Sequence, residues 1–211
     1  MSTMKIEERI LIKEKVSHIY PLLSDLHHWT TWSPWLLAEP DCKVHVSPSG
    51  DAYQWDGKIV GAGQMMLTEK SESYDYLAMD LQFLKPWKSF AKVAFHLEES
   101  TLGTVVRWTM ESHLPFFLFW MKKSMTAYIH SDYQRGLRLL KDWIKTGKTQ
   151  SELSFQGIKS LEAVSYVGLK RKTAIHEIGE SMEKDFEQLM QYVHQDWKNL
   201  QVGAPFSIYH R

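Results

Sequence analysis

Between Cys42 and Met110 apolar and polar residues alternate in short runs, the pattern of strands that bury one face. Cys42, Val44 and Val46 alternate with Lys43, His45 and Ser47. A Pro48-Ser49-Gly50-Asp51 turn follows, and Tyr53, Trp55, Gly57 and Ile59 then alternate with Gln54, Asp56 and Lys58. Gly61 and Gly63 mark another turn, after which Met65 and Leu67 lead to a strand carrying Leu77, Met79, Leu81 and Phe83 on one face. Lys85-Pro86 breaks that strand. Val93, Phe95 and Leu97 resume the alternation, Glu98 to Gly103 turns it, and Thr104, Val106, Trp108 and Met110 close it. With a first strand over Lys5 to Ile12, the series predicts an antiparallel meander with one buried face.

Helical patterns separate the first strand from this alternation and end it after Met110. Val16, Ile19, Tyr20 and Leu23 form a short helical stripe, and a second short helical or irregular piece runs through Trp29, Trp32 and Trp35, limited by Pro34 and Pro40. Between Lys122 and Lys145 the apolar positions Met125, Ile129, Tyr133, Leu137, Leu140 and Ile144 recur every three or four residues, an amphipathic helix of about six turns. Such a helix must bury its stripe, and the sheet's apolar face is the one available partner. The apolar stretch Leu114 to Trp120 reads as a buried crossover into this helix or as a lid at a pocket mouth.

Residues 147–156 have linker composition. Beyond them, Leu161 to Thr173 reads as one extended segment. Ile178, Met182, Phe186, Leu189, Val193, Trp197 and Leu200 give a second helical stripe, and Phe206 to Tyr209 a final short strand. The chain thus divides into residues 1–146, a linker over 147–156, and a strand-helix-strand module over 157–211.

Composition narrows the function classes. Lys plus Arg and Asp plus Glu number 25 each, which supplies no electrostatic footprint for nucleic acid or an anionic membrane. Cys42 is the single cysteine, so no internal disulfide forms; with an N-terminus lacking the apolar core of a signal peptide, this suits a cytoplasmic protein. Ten histidines are scattered without HExxH or CxxC spacing, so no metal and no other cofactor is expected. No serine sits in a nucleophile elbow.

Several segments resemble the polyketide cyclase/dehydrase branch of the START-like, or SRPBCC, superfamily. These are Trp29 to Trp35, Tyr53 to Trp55 followed by Gly61-Ala62-Gly63, Gly103 to Trp108, and Asp132 to Lys141. The element order, a strand, two short helices, six strands and a long helix, matches that superfamily's helix-grip fold. The expected class is therefore α+β: a curved antiparallel sheet of about seven strands around a long helix, followed by a small α+β half-domain. Residues 157–211 resemble the first half of a gyrase-inhibitor-like, AraC-type effector-binding domain, whose second half is absent from this sequence. An apolar face left without that half must be covered by the first domain or by the same segment of another chain, and the expectation is a homodimer through the C-terminal module.

The resemblance implies a pocket between sheet and helix. Its candidate lining is Trp32, Trp35, Trp55, Met79, Phe83, Phe95, Trp108, Phe117, Trp120, Met125 and Tyr128, although the same side chains would also serve an ordinary core. Asp80, Arg107 and Glu111 are candidates for orienting a ligand or for solvated strand positions. The expected function is non-covalent sensing or carriage of a small hydrophobic or aromatic molecule. The alternatives are a cyclase/dehydrase-like enzyme using the same pocket, and a protein-interaction module of the chaperone-cofactor type.

Overall fold

The computed structural model describes residues 2–114, 122–149, 158, 160, 163–173, 177–196, 203 and 206–208. Contacts divide the chain into two units, Met1–Gly157 and Ile158–Arg211.

The first unit is a helix-grip fold. Strand β1 (Ser2–Ile12) is followed by helices α1 (Val16–Leu23), α2 (Leu26–Trp32) and α3 (Pro34–Ala38). Next come β2 (Lys43–Val46), β3 (Ala52–Asp56), β4 (Ala62–Lys70), β5 (Tyr76–Lys85), β6 (Ser89–Ser100) and β7 (Gly103–Leu114), and then the 25-residue helix α4 (Lys122–Thr146). The seven strands form one antiparallel sheet in the order β1-β7-β6-β5-β4-β3-β2, so the first strand closes against the last. The break between α2 and α3 is local chemistry. Pro34 cannot donate to the preceding turn but fits the first position of a new helix, where its missing N–H costs nothing.

Alternation puts one residue in two against the helices. Leu77 and Met79 of β5, Phe95 and Leu97 of β6, and Val106 and Trp108 of β7 are buried with Ile19, Tyr20 and Leu23 of α1 and Leu26 of α2. Helix α4 lays Tyr133, Leu137 and Leu140 on this face as its spacing predicts. Glu8 of β1 reaches up to it, accepting from Gln134 Nε2 at 3.1 Å and lying 2.6 Å from His130 Nδ1. Strand β2 departs from expectation. It is an edge strand beginning at Lys43, and Val44 is exposed rather than buried, because the sheet's last strand has no neighbour on one side among the described residues.

The second unit contains α5 (Ile178–Asp196). Its stripe positions Ile178, Met182, Phe186, Leu189 and Val193 are half-buried; Trp197 and Leu200 lie outside the described residues. Residues 163–173 and 206–208, read from the sequence as strands, carry no strand pairing among the described residues. Two short segments give each other too little ladder to hold a sheet. Residues 163–173 are tied to α5 instead by Arg171, whose Nε and Nη2 donate to the Asp185 carboxylate at 2.6–2.9 Å. That guanidinium holds the Asp185 carboxyl below its ordinary range.

Candidate functional site: an apolar cavity under the long helix

The strands are packed solid at one end and open at the other. Along β5 the inward residues pass from Leu77 and Met79, fully buried, to Leu81 and Phe83, half-buried at a cavity wall. The register places Ser89 of β6 opposite Phe83, Ser112 of β7 and Met4 of β1 level with Leu81, and Val93 and Met110 one step deeper. These residues border a cavity of about 280 Å³, close to the lower end of the usual range of small-molecule pockets, about 300–1,000 Å³. Met125, Ile129 and Tyr133 of α4 roof it, and Trp29, Ser33, Trp35 and Leu36 close one side.

Aromatic rings separate cavity from core. Trp108 stacks on Tyr133 with centroids 3.8 Å apart and on Phe95 at 5.1 Å, while Trp29, Trp32 and Trp35 meet its ring edge-on at 5.6–6.0 Å. Gly136 makes the close approach of α4 possible: a Cβ there would lie 2.8 Å from Trp108 Cζ3 and 3.3 Å from the Pro34 ring. On the opposite wall, Trp55 stacks on Tyr53 at 5.4 Å and meets Phe83 edge-on at 5.9 Å. Gly63 leaves the space its indole fills; a Cβ at 63 would run into Trp55 Cη2 and the Gln82 carbonyl.

The polar groups around the cavity are mostly occupied. Trp35 Nε1 donates to Asp132 Oδ2 at 3.1 Å, and burial raises the pKa of that carboxyl. Trp55 Nε1 donates to the Val60 carbonyl at 3.4 Å. Val60 belongs to a loop fixed by one carboxylate: Glu39 accepts from the amides of Lys58, Ile59 and Val60 at 2.6–2.9 Å, and these bonds, Val60's foremost, hold its pKa low. Burial pushes the phenols of Tyr53 and Tyr133 up, so both stay neutral across the physiological range. Lys85, at the cavity edge, is exposed and pairs with Asp56 at 3.0 Å.

Of the candidates chosen from the sequence, Trp35, Trp55, Phe83, Trp108 and Met125 border the cavity. Trp32, Met79 and Phe95 do not; they are fully buried in the core behind Trp108. Tyr128 is 54% exposed, about 100° round the helix from its neighbour Ile129. Phe117 and Trp120 lie outside the described residues, as does nearly all of the Leu114 to Trp120 stretch. Asp80 and Glu111 are exposed and Arg107 is half-buried; Arg107 pairs with Glu7 and Glu111 with Lys5, each at 3.4 Å. Trp29, Tyr53, Tyr133 and Ser33 also border the cavity, beyond the candidates named from the sequence. Tyr53 shares Trp55's face and Tyr133 lies on the α4 stripe, so the pattern already held both.

Among the described residues no cluster of His, Cys, Asp and Glu is placed to hold a metal ion, and no helix is long and apolar enough to cross a membrane.

A curved sheet gripping a long helix around an apolar cavity defines a START-like domain. The chain belongs to the polyketide cyclase/dehydrase and lipid transport family, whose model matches residues 3–144. Solved structures share the fold. The di-domain ARO/CYC StfQ from the steffimycin biosynthetic pathway is 10% identical with a TM-score of 0.54, the match covering 68% of this chain and 51% of that one. Protein MLL2253 from Mesorhizobium loti is 12% identical with a TM-score of 0.51, covering 67% and 97%. The Aha1 dimer from Colwellia psychrerythraea is 21% identical with a TM-score of 0.50, covering 69% and 98%. No curated protein matches the chain.

Proposed function

We propose that the first unit binds a small hydrophobic or aromatic molecule non-covalently, to sense or carry it, with Trp35, Trp55, Phe83, Trp108 and Met125 among the contacts. The observation that carries this reading is the cavity's wall: indole, phenyl and thioether surfaces almost throughout, with no carboxylate among its described lining residues. A charged general base would have to be desolvated there without a partner. Titration with flavonoid, polyketide and fatty-acid libraries should give a saturable change in indole emission. Native mass spectrometry of the same mixtures should show one ligand per chain. A flat response across all three libraries removes the reading. The family match favours a second reading, a cyclase/dehydrase-like enzyme acting in the same cavity; turnover of a polyketide-like substrate, rather than its release unchanged, distinguishes it.

The second unit is read as a partial effector-binding module that pairs with its copy in a homodimer. Val164, Tyr166, Val167 and Leu169 are all exposed on the segment beside α5, an apolar surface that a second chain would cover. Size exclusion with light scattering should give a dimer that becomes a monomer when the chain is cut near Thr149. A full-length monomer at high concentration excludes the pairing.

A further inference from the structure

Two segments that wall the cavity are joined by a single carboxylate. Helix α3 contributes Trp35 and Leu36 to the lining, and the loop 57–61 between β3 and β4 contributes Val60. Glu39 caps the C-terminal end of α3 and is 8% exposed. Its Oε1 accepts from the Lys58 amide at 2.6 Å, and its Oε2 from the amides of Ile59 and Val60, each at 2.9 Å. A carboxylate so far out of water persists only where bonds replace its hydration, and here three backbone donors do so.

Among the described residues these three are the hydrogen bonds that join α3 to the loop. The Gly57 amide donates to the Gly61 carbonyl at 2.8 Å and closes the loop on itself. Position 57 also leaves room for the carboxylate: a Cβ there would run into Glu39 Oε2 and Val60 Cγ2. The linkage extends on both sides. Trp35 Nε1 ties α3 to Asp132 of α4, and Trp55 Nε1 of β3 donates to the Val60 carbonyl, so Glu39 stands in the middle of a chain of bonds around this wall. Here the cavity also meets the surface. Lys85 and Pro86 border it and are exposed, Ile59 is 70% exposed, and a Cβ at Gly61 would lie 2.5 Å from the Lys85 carbonyl, which places the loop against that rim.

We infer that Glu39 is a positioning residue for the ligand, a latch that holds α3 and the 57–61 loop together as one stretch of cavity rim, so that a small apolar molecule enters and leaves by parting them. The residue touches no ligand and acts through the wall it holds. This inference rests on the ligand-binding reading of the cavity, and the test separates the two.

N-phenyl-1-naphthylamine, a neutral aromatic that brightens in apolar surroundings, reports entry and exit when mixed rapidly with the full chain. Glu39→Gln keeps the shape of the side chain but offers one acceptor oxygen in place of two and turns N–H groups toward backbone donors. Association and dissociation should each become about tenfold faster, with the dissociation constant within about threefold of the parent, because the latch is the same whether the cavity is empty or filled. Amides 58–60 should exchange with deuterium about tenfold faster. Glu39→Asp keeps the charge but is one methylene short; it should move the same rates in the same direction, and serves where Glu39→Gln does not fold. Leu140→Ala loosens the core without touching the rim, and its association rate should stay within about twofold of the parent. Unchanged association in the Glu39 variants, or equal acceleration by Leu140→Ala, overturns the latch and leaves the pocket standing. Absence of a saturable signal from the parent overturns the pocket and the latch together.

Discussion

Leu137→Ala and Leu140→Ala each destabilise the first unit by about 2–5 kcal/mol, because each removes most of a side chain from a site that cannot close around the gap. Leu137 is 1% exposed and Leu140 is 0% exposed, and both belong to the same core as Ile6, Val106 and Trp108. At roughly 2–4 °C per kcal/mol for a chain of this length, the melting temperature falls by about 4–20 °C. Arg138, between them in sequence, is exposed, and Arg138→Ala stays within about 0.5 kcal/mol of the parent. Chemical denaturation of the three variants under identical conditions checks both statements. Equal midpoints would mean that the stripe of α4 faces water and that the sheet is covered by something else.

The same residues show how far the sequence carries. A helix has one period and a strand another, so alternation from Cys42 to Met110 and the three-four spacing from Met125 to Ile144 identify which face of each element turns inward. Six strands and the long helix follow from that, with Lys5 to Ile12 as a seventh strand, and so does the gripping arrangement, because each apolar face needs the other. Alternation says nothing about depth along the strand. Leu77, Met79, Leu81 and Phe83 are equivalent in the pattern, yet the first two are core and the last two line the cavity. The difference is set by what sits above them: α1 and the start of α2 fill one end of the sheet, and among the described residues Met125, Ile129 and Tyr133 arch over the other. That is why Trp32, Met79 and Phe95, chosen for their size, belong to the core.

Tyr128 fails for a different reason. It stands one residue from the stripe, and 100° of rotation separates neighbours on a helix. Ser33 could not have been chosen by apolar pattern at all. Its only signal in the sequence is a serine before proline at a helix start, which ordinarily reads as a cap. The second unit was legible as a helix and not as a sheet. Periodicity marks α5 without help from other segments, whereas a strand exists only when a partner supplies the other half of its hydrogen bonds.

Gly136→Ala destabilises the protein, against the ordinary sign of that exchange in a helix. Within a helix alanine is favoured over glycine by about 0.5–1 kcal/mol, since glycine loses more backbone freedom on folding. At position 136, in the middle of α4, the new methyl group would stand 2.8 Å from Trp108 Cζ3 and 3.3 Å from Cγ and Cδ of Pro34. The nearer distance is well inside carbon–carbon contact, which is optimal at about 3.5–4.0 Å, so something must move. Trp108 is poorly able to do so. Tyr133 lies on one face at 3.8 Å, Phe95 stacks at 5.1 Å, and Trp29 and Trp32 hold the edges at 5.6 and 5.8 Å. Pro34 is locked in its own ring at the start of α3. The helix must therefore lift away from the sheet or the indole must turn, and overpacking of this kind costs about 1–3 kcal/mol, more than the propensity gain. The expected net loss is about 1–2 kcal/mol. It should come with a changed near-ultraviolet circular dichroism spectrum, because the stacked Trp108–Tyr133 pair is disturbed. A Gly136→Ala variant more stable than the parent, with that spectrum intact, would place α4 farther from Trp108 and enlarge the cavity beneath it.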